Sequence, residues 1–183
     1  MNRIDALFTR LKAEGRPALM PFLTAGDPDL ATTAVLIHEL VGRGADMIEV
    51  GIPYSDPIAD GPVIAASYHR ALEHGIKVSH VFQTLRTLRA EGSDAMRETP
   101  IVSMVSYSII HRVGVERYLN DAATTGLDGL IVPDLPVEES ESLQKKATQR
   151  GLKLIQLITP TTPRDRAVEI ARLTTGFIYY VSV

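Results

Sequence analysis

Residues 44–62 read GADMIEVGIPYSDPIADGP, and the order of signals in them sets the fold. Gly44 stops a helical pattern, Met47–Val50 is a short apolar run, and a segment containing Pro53 and Pro57 follows. Pro62 stands where the first residue of a new helix is favoured, because its missing N–H would have had no partner there. Residues 126–132, GLDGLIV, repeat the opening positions: a glycine at a helix end, a strand, then an exit into a proline-containing loop. Repeated βα units of this kind build (β/α)8 barrels, whose sites sit on the loops after the strands. A doubly wound sheet uses the same units, so that alternative stays open.

Working outward, five more apolar runs complete the pattern. Strands are expected at Ala18–Leu23, Met47–Val50, Ile101–Val105, Gly129–Val132, Leu154–Ile158 and Phe177–Val183. Most are apolar on both faces, as parallel strands covered by helices must be. Helical spacing recurs between them, in Ile4, Leu7, Phe8 and Leu11 before Gly15 and in Leu36 and Leu40 before Gly42. Ser79 is expected to cap a helix bearing Val81, Phe82, Leu85 and Leu88. Val115, Tyr118, Leu119 and Ala122 form another helix, and Thr162 before Pro163 opens the last. The expectation is a single α/β domain over 1–183. A complete barrel has eight strands and about 250 residues, so six countable strands suggest one incomplete at its C-terminal end.

The 183 residues carry a formal net charge of −3 and no cysteine. That balance gives no electrostatic reason to expect nucleic acid or an anionic membrane as partner. Thiolate chemistry and sulfur-ligated metal are excluded. The residues from Met1 lack the apolar core of a signal peptide, which makes a cytoplasmic protein the simplest expectation.

The chemistry-bearing residues lie in the opening stretch. If Ile48 and Val50 face the covering helices, Met47 and Glu49 face the interior. Desolvation there raises a carboxyl pKa and suits a group that both gives and takes a proton. Satisfaction by loop N–H groups is the structural alternative. Asp56 and Asp60 follow in a loop braced by Pro53 and Pro57, with Gly51 and Gly61 offering backbone freedom. Asp-Pro and Asp-Gly are also common turn pieces, and Asp60 is placed to cap the helix from Pro62.

Four blocks in one order, PFLTAGDPD (21–29), IEVGIPYSDPIADGP (48–62), GLDGLIVPDLPVEE (126–139) and GFIYYVSV (176–183), resemble the tryptophan synthase α subunit family. The resemblance implies a TIM barrel that cleaves indole-3-glycerol phosphate to indole and glyceraldehyde 3-phosphate, in tryptophan biosynthesis. It places Glu49 at the acid/base position and Asp60 at the residue that stabilises the indole N–H. Phe22 resembles the indole-contacting aromatic, although alone it would read as core, and Tyr179 the tyrosine near substrate. Asp56 and Pro57, with Asp134 and Pro136, match positions that meet the β subunit of an α2β2 heterotetramer, whose cofactor is pyridoxal phosphate. The α reaction itself implies no metal or organic cofactor in this subunit.

Ser106 and Ser108 stand where a tyrosine and an asparagine are usual, and Ala65 where a glutamine is commoner. The family's phosphate cradle would lie beyond Val183, so weak activity of this chain alone is the expectation. Two rival readings remain: another sugar-phosphate barrel isomerase, and a non-catalytic module docking on the β subunit. Gly42-Arg43-Gly44 precedes a strand and so does not fit a dinucleotide fingerprint. The five histidines lack metal-ligand spacing and read as solvated helix residues, and Glu138, Glu139 and Glu141 suit a helix's first turn.

Overall fold

The structure, a computed structural model, describes residues 2–57 and 61–182. Nine helices and six strands alternate among the described residues: α1 (Arg3–Glu14), β1 (Phe22–Thr24), α2 (Leu30–Gly42), β2 (Ile48–Gly51), α3 (Pro62–Glu73), α4 (Val78–Glu91), α5 (Asp94–Glu98), β3 (Ile101–Met104), α6 (Tyr107–Val113), α7 (Val115–Thr125), β4 (Gly129–Ile131), α8 (Val137–Thr148), β5 (Lys153–Ile158), α9 (Arg164–Leu173) and β6 (Ile178–Tyr180). All neighbouring strands are parallel, and their order is β1-β2-β3-β4-β5-β6. A doubly wound sheet reverses direction at a switch point. Strictly sequential order has none, and the barrel reading stands.

Alternation along the strands divides the interior in two. Ile48, Val50, Ile101, Leu130 and Leu154 pack outward against the helices with Ile37, Phe82, Leu85 and Leu119. Met47, Val102, Ile131 and Ile155 point to the concave side, with Met104, Leu157, Phe177 and Tyr179. Ile4, Leu7 and Leu11 of α1 belong to that second cluster, so α1 closes the lumen near the strands' N-terminal ends. Asn2 caps α1 through the Ile4 N–H and reaches the carbonyls of Asp128 and Gly151 with its own amide.

The internal repeat has a tertiary purpose. Asp46 and Asp128 occupy its equivalent third positions, and both are buried. Each carboxylate accepts a backbone N–H from the entry to the preceding strand: Leu19 to Asp46 at 2.9 Å, Ile101 to Asp128 at 2.9 Å. Arg16 forks onto Asp46 at 2.8 and 2.9 Å and holds its carboxyl below the usual range. Arg3 and Arg89 pair with Asp128 at 2.8 and 3.1 Å. Arg89, only 10% exposed, also donates to the carbonyls of Thr99 and Gly126. Asp128→Ala leaves that guanidinium buried without its anion, which costs roughly 3–5 kcal/mol. Thermal denaturation is expected to show a midpoint lower by roughly 10 °C.

Several boundaries differ from expectation. The first strand begins at Phe22 rather than Ala18, because Leu19 gives its N–H to Asp46 and Pro21 has none to give. The carbonyls of Leu19 and Pro21 still accept, from the N–H groups of Asp46 and Met47 and from that of Glu49. The fourth helix is capped at Lys77, with Ser79 inside its first turn. The last helix takes Pro163 as its cap rather than Thr162. Acidic Glu138 and Glu139 do occupy the first turn of α8. All five histidines are exposed, four within helices and His74 at the end of α3.

Candidate active site

Glu49 lies near the C-terminal end of β2 and is 1% exposed. Its backbone N–H donates to the Pro21 carbonyl at 3.0 Å, and its register partners are Phe22 on β1 and Val102 on β3. Met47, two residues earlier, belongs to the lumen cluster, while Ile48 and Val50 pack with the helices. Period-two alternation therefore sends the Glu49 side chain into the lumen. Its neighbours along and across the strands on that side include the apolar Met47, Phe22 and Val102.

Phe22 opens β1 instead of closing it, and its ring lies over Gly51. A β carbon on Gly51 would sit 2.5 Å from Phe22 Cζ and 2.8 Å from the Tyr68 hydroxyl. Both distances are well inside van der Waals contact. Gly51 is thus required for space and not for an unusual backbone angle, a correction to the conformational reading. Gly61 is likewise ordinary, with φ −67° at the N-cap of α3 and no side-chain cap bond. The cap position belongs to Gly61, with Pro62 as the first helical residue. Asp60 itself lies outside the described residues. Tyr68, reaching in from α3 and buried, has no counterpart in the sequence reading. A tyrosine on a helix face gives no sign that it crosses to a neighbouring strand.

Tyr179 belongs to the lumen cluster, and it registers with Leu157 of β5. Phe22, Glu49 and Tyr179 therefore share the concave side of the sheet.

Asp56, Pro57 and Asp134 gather around a second feature. Tyr54, Asp56 and Pro57 from the β2 loop face Ser106, Pro133 and Asp134 across a cavity of about 300 Å³. Asp56 and Asp134 are exposed, as is Pro136 at the N-cap of α8. Asp134 also performs a turn function. It accepts the Ser106 hydroxyl at 2.6 Å and the Tyr107 N–H at 2.7 Å, tying the β4 loop to the start of α6. Ser106 is the N-cap of α6, and Ser108 bonds back to it at 2.7 Å. These serines therefore build a local capping cluster.

This assembly defines a parallel (β/α) barrel-type protein with an acid and aromatics in its lumen, near the strand ends where such barrels carry their chemistry. The profile of the family described as "Tryptophan synthase alpha chain" matches residues 8–183, and the chain belongs to that family. It is 52% identical to the tryptophan synthase alpha chain of Rhodopirellula baltica, over its own full length and 65% of that protein. With the Prochlorococcus marinus protein the identity is 50%, over 98% of this chain and 64% of the relative. The chain thus spans about two thirds of the length of its curated relatives. Among solved structures, the tryptophan synthase alpha chain of Legionella pneumophila superposes with a TM-score of 0.92 at 39% identity, covering all of this chain and 67% of that one. A Pyrococcus furiosus tryptophan synthase α2β2 complex contains a chain that matches at 0.83 and 42%, over 91% of this chain and 68% of its own.

Proposed function

We propose that this chain carries the α reaction of tryptophan synthase, the retro-aldol cleavage of indole-3-glycerol phosphate to indole and glyceraldehyde 3-phosphate. The single observation that supports it most is Glu49, a buried carboxyl facing the lumen beside Phe22. Cleavage breaks the bond between indole C3 and the first carbon of the glycerol chain. A proton must arrive at C3, and the hydroxyl on the departing carbon must lose one as its carbonyl forms. A single carboxyl that cycles between protonation states serves both needs.

Positive charge spreads over the ring as C3 is protonated, and a carboxylate at the indole N–H stabilises it. Asp60 has that role in this proposal. Phe22 offers a face for the indole and Tyr179 a polar edge near the acid. Deeper in the lumen, Met47, Val102 and Ile131 exclude water, which strengthens every charge interaction there.

The proposed partner is a tryptophan synthase β subunit with its own pyridoxal phosphate, approached through Asp56, Pro57, Asp134 and Pro136. Exposure of Asp56, Asp134 and Pro136, and the gathering of both loops about one cavity, support that surface. The test is to incubate the chain with indole-3-glycerol phosphate, with and without a β subunit, and quantify both products. Equal amounts of indole and glyceraldehyde 3-phosphate are expected. Neither product under either condition would overturn the proposal.

A further inference from the structure

We propose that Arg70 is a positioning residue for this cleavage: its fork on Asp27 sets where α3 lies over the end of β1, and so where Tyr68 meets Gly51 beside Phe22. The inference rests on the function proposed above. Ser67, Arg70 and His74 fall at i, i+3 and i+7 of the α3 region, hence on one face. Their partners, Thr24, Asp27 and Pro28, follow in the same order along β1 and its loop. Ser67 bonds Thr24 at 2.6 Å, Arg70 bonds both Asp27 oxygens at 2.9 and 2.7 Å, and the His74 ring bonds the Pro28 carbonyl at 2.9 Å. The helix is strapped along that loop at three successive points.

The receiving loop is itself fixed. Gly26, at φ 87°, donates its N–H to Thr33 Oγ1 at 2.9 Å, and Asp29 caps α2 through the Thr32 N–H. Arg70's hydrogen bonds, opposed by burial, hold the Asp27 carboxyl below its usual range. By contrast, among the described residues the start of α3 has little hold of its own. Gly61 provides no side-chain cap, and Val63 in the first turn is 77% exposed. The downstream straps therefore locate the helix start at Pro62. The same helix carries Tyr68 across to Gly51 beside Phe22.

Arg70 is half exposed, and such pairs add little to global stability. A bidentate fork does fix direction, which a lysine's point charge does not. Misplacing a reacting group by about 1 Å can cost about 10²-fold in rate. Arg70→Ala and Asp27→Asn are therefore expected to lower kcat by about 10- to 100-fold with KM nearly unchanged. Arg70→Lys should fall between, and the exchanged pair Asp27→Arg with Arg70→Asp should recover most of the loss. Hydrogen exchange at the Ala65 and Ala66 amides should quicken in Arg70→Ala while the sheet amides hold. Loss confined to KM, or wild-type kcat and exchange in Arg70→Ala, would overturn the inference. If the unaltered chain releases no indole, the functional reading fails, and the exchange rates alone judge the strap: no change in Arg70→Ala would overturn it.

Discussion

Glu49→Gln should abolish indole formation, with a loss of about 10²- to 10⁴-fold, the range a positioned acid–base group supplies. Glutamine keeps the shape of the side chain and its hydrogen-bonding capacity but cannot give up and recover a proton. The lumen of Met47, Val102 and Phe22 is left as well packed as before. Folding should therefore survive, and thermal midpoints of the two proteins should agree within a few degrees. An assay of indole release, run beside a melting curve, separates the two quantities. The same substitution divides an enzyme from a docking module. A module that only binds would still stimulate a β subunit after the change, whereas indole production would fall in the lyase.

Gly51→Ala should be nearly as damaging, for a steric reason. The added methyl would enter the space of the Phe22 ring at 2.5 Å and of the Tyr68 hydroxyl at 2.8 Å. Neither atom is the end of a long flexible chain, so β1, β2 or α3 must shift. Overpacking of this kind costs about 1–3 kcal/mol in stability. The larger effect falls on the site, since Phe22 and Glu49 are register partners. A displacement of about 1 Å is expected to cost about 10²-fold in rate. Adding Phe22→Ala to Gly51→Ala removes the clash with the ring but leaves that with the Tyr68 hydroxyl. The double variant should remain inactive, whereas recovered activity would mean that Phe22 takes no part.

Much of this architecture is legible in the chain. The GADMIEV and GLDGLIV segments mark β2 and β4 to within a residue or two, because a glycine stop and an apolar run are local signals. Alternation alone sends Glu49 inward, and Pro62 opens α3 as its missing N–H predicts. Strand order is different. The sequence left barrel and doubly wound sheet open, and only pairing between distant segments separates them.

The misses share one cause, that a side chain's partner lies far away in sequence. Asp46 and Asp128 look like loop acids until Leu19 and Ile101 are seen donating to them. Ser67, Arg70 and His74 look like a solvated stripe until β1's loop is laid along it. The α6 helix, only seven residues long, has no clear signal in the sequence, because its start is set by Ser106 together with Asp134, 28 positions away. Gly51 provides space and not conformational freedom, a property visible only with Phe22 and Tyr68 in place.

The central claim is that one carboxyl on β2 and another from the loop before α3 act on a single bicyclic ring within the lumen. A crystal structure of the chain soaked with indole tests it most directly. The account predicts the ring against Phe22, with Glu49 at hydrogen-bonding distance from C3 and Asp60 accepting the ring N–H. Indole bound away from Glu49, or with its nitrogen turned from Asp60, would contradict it.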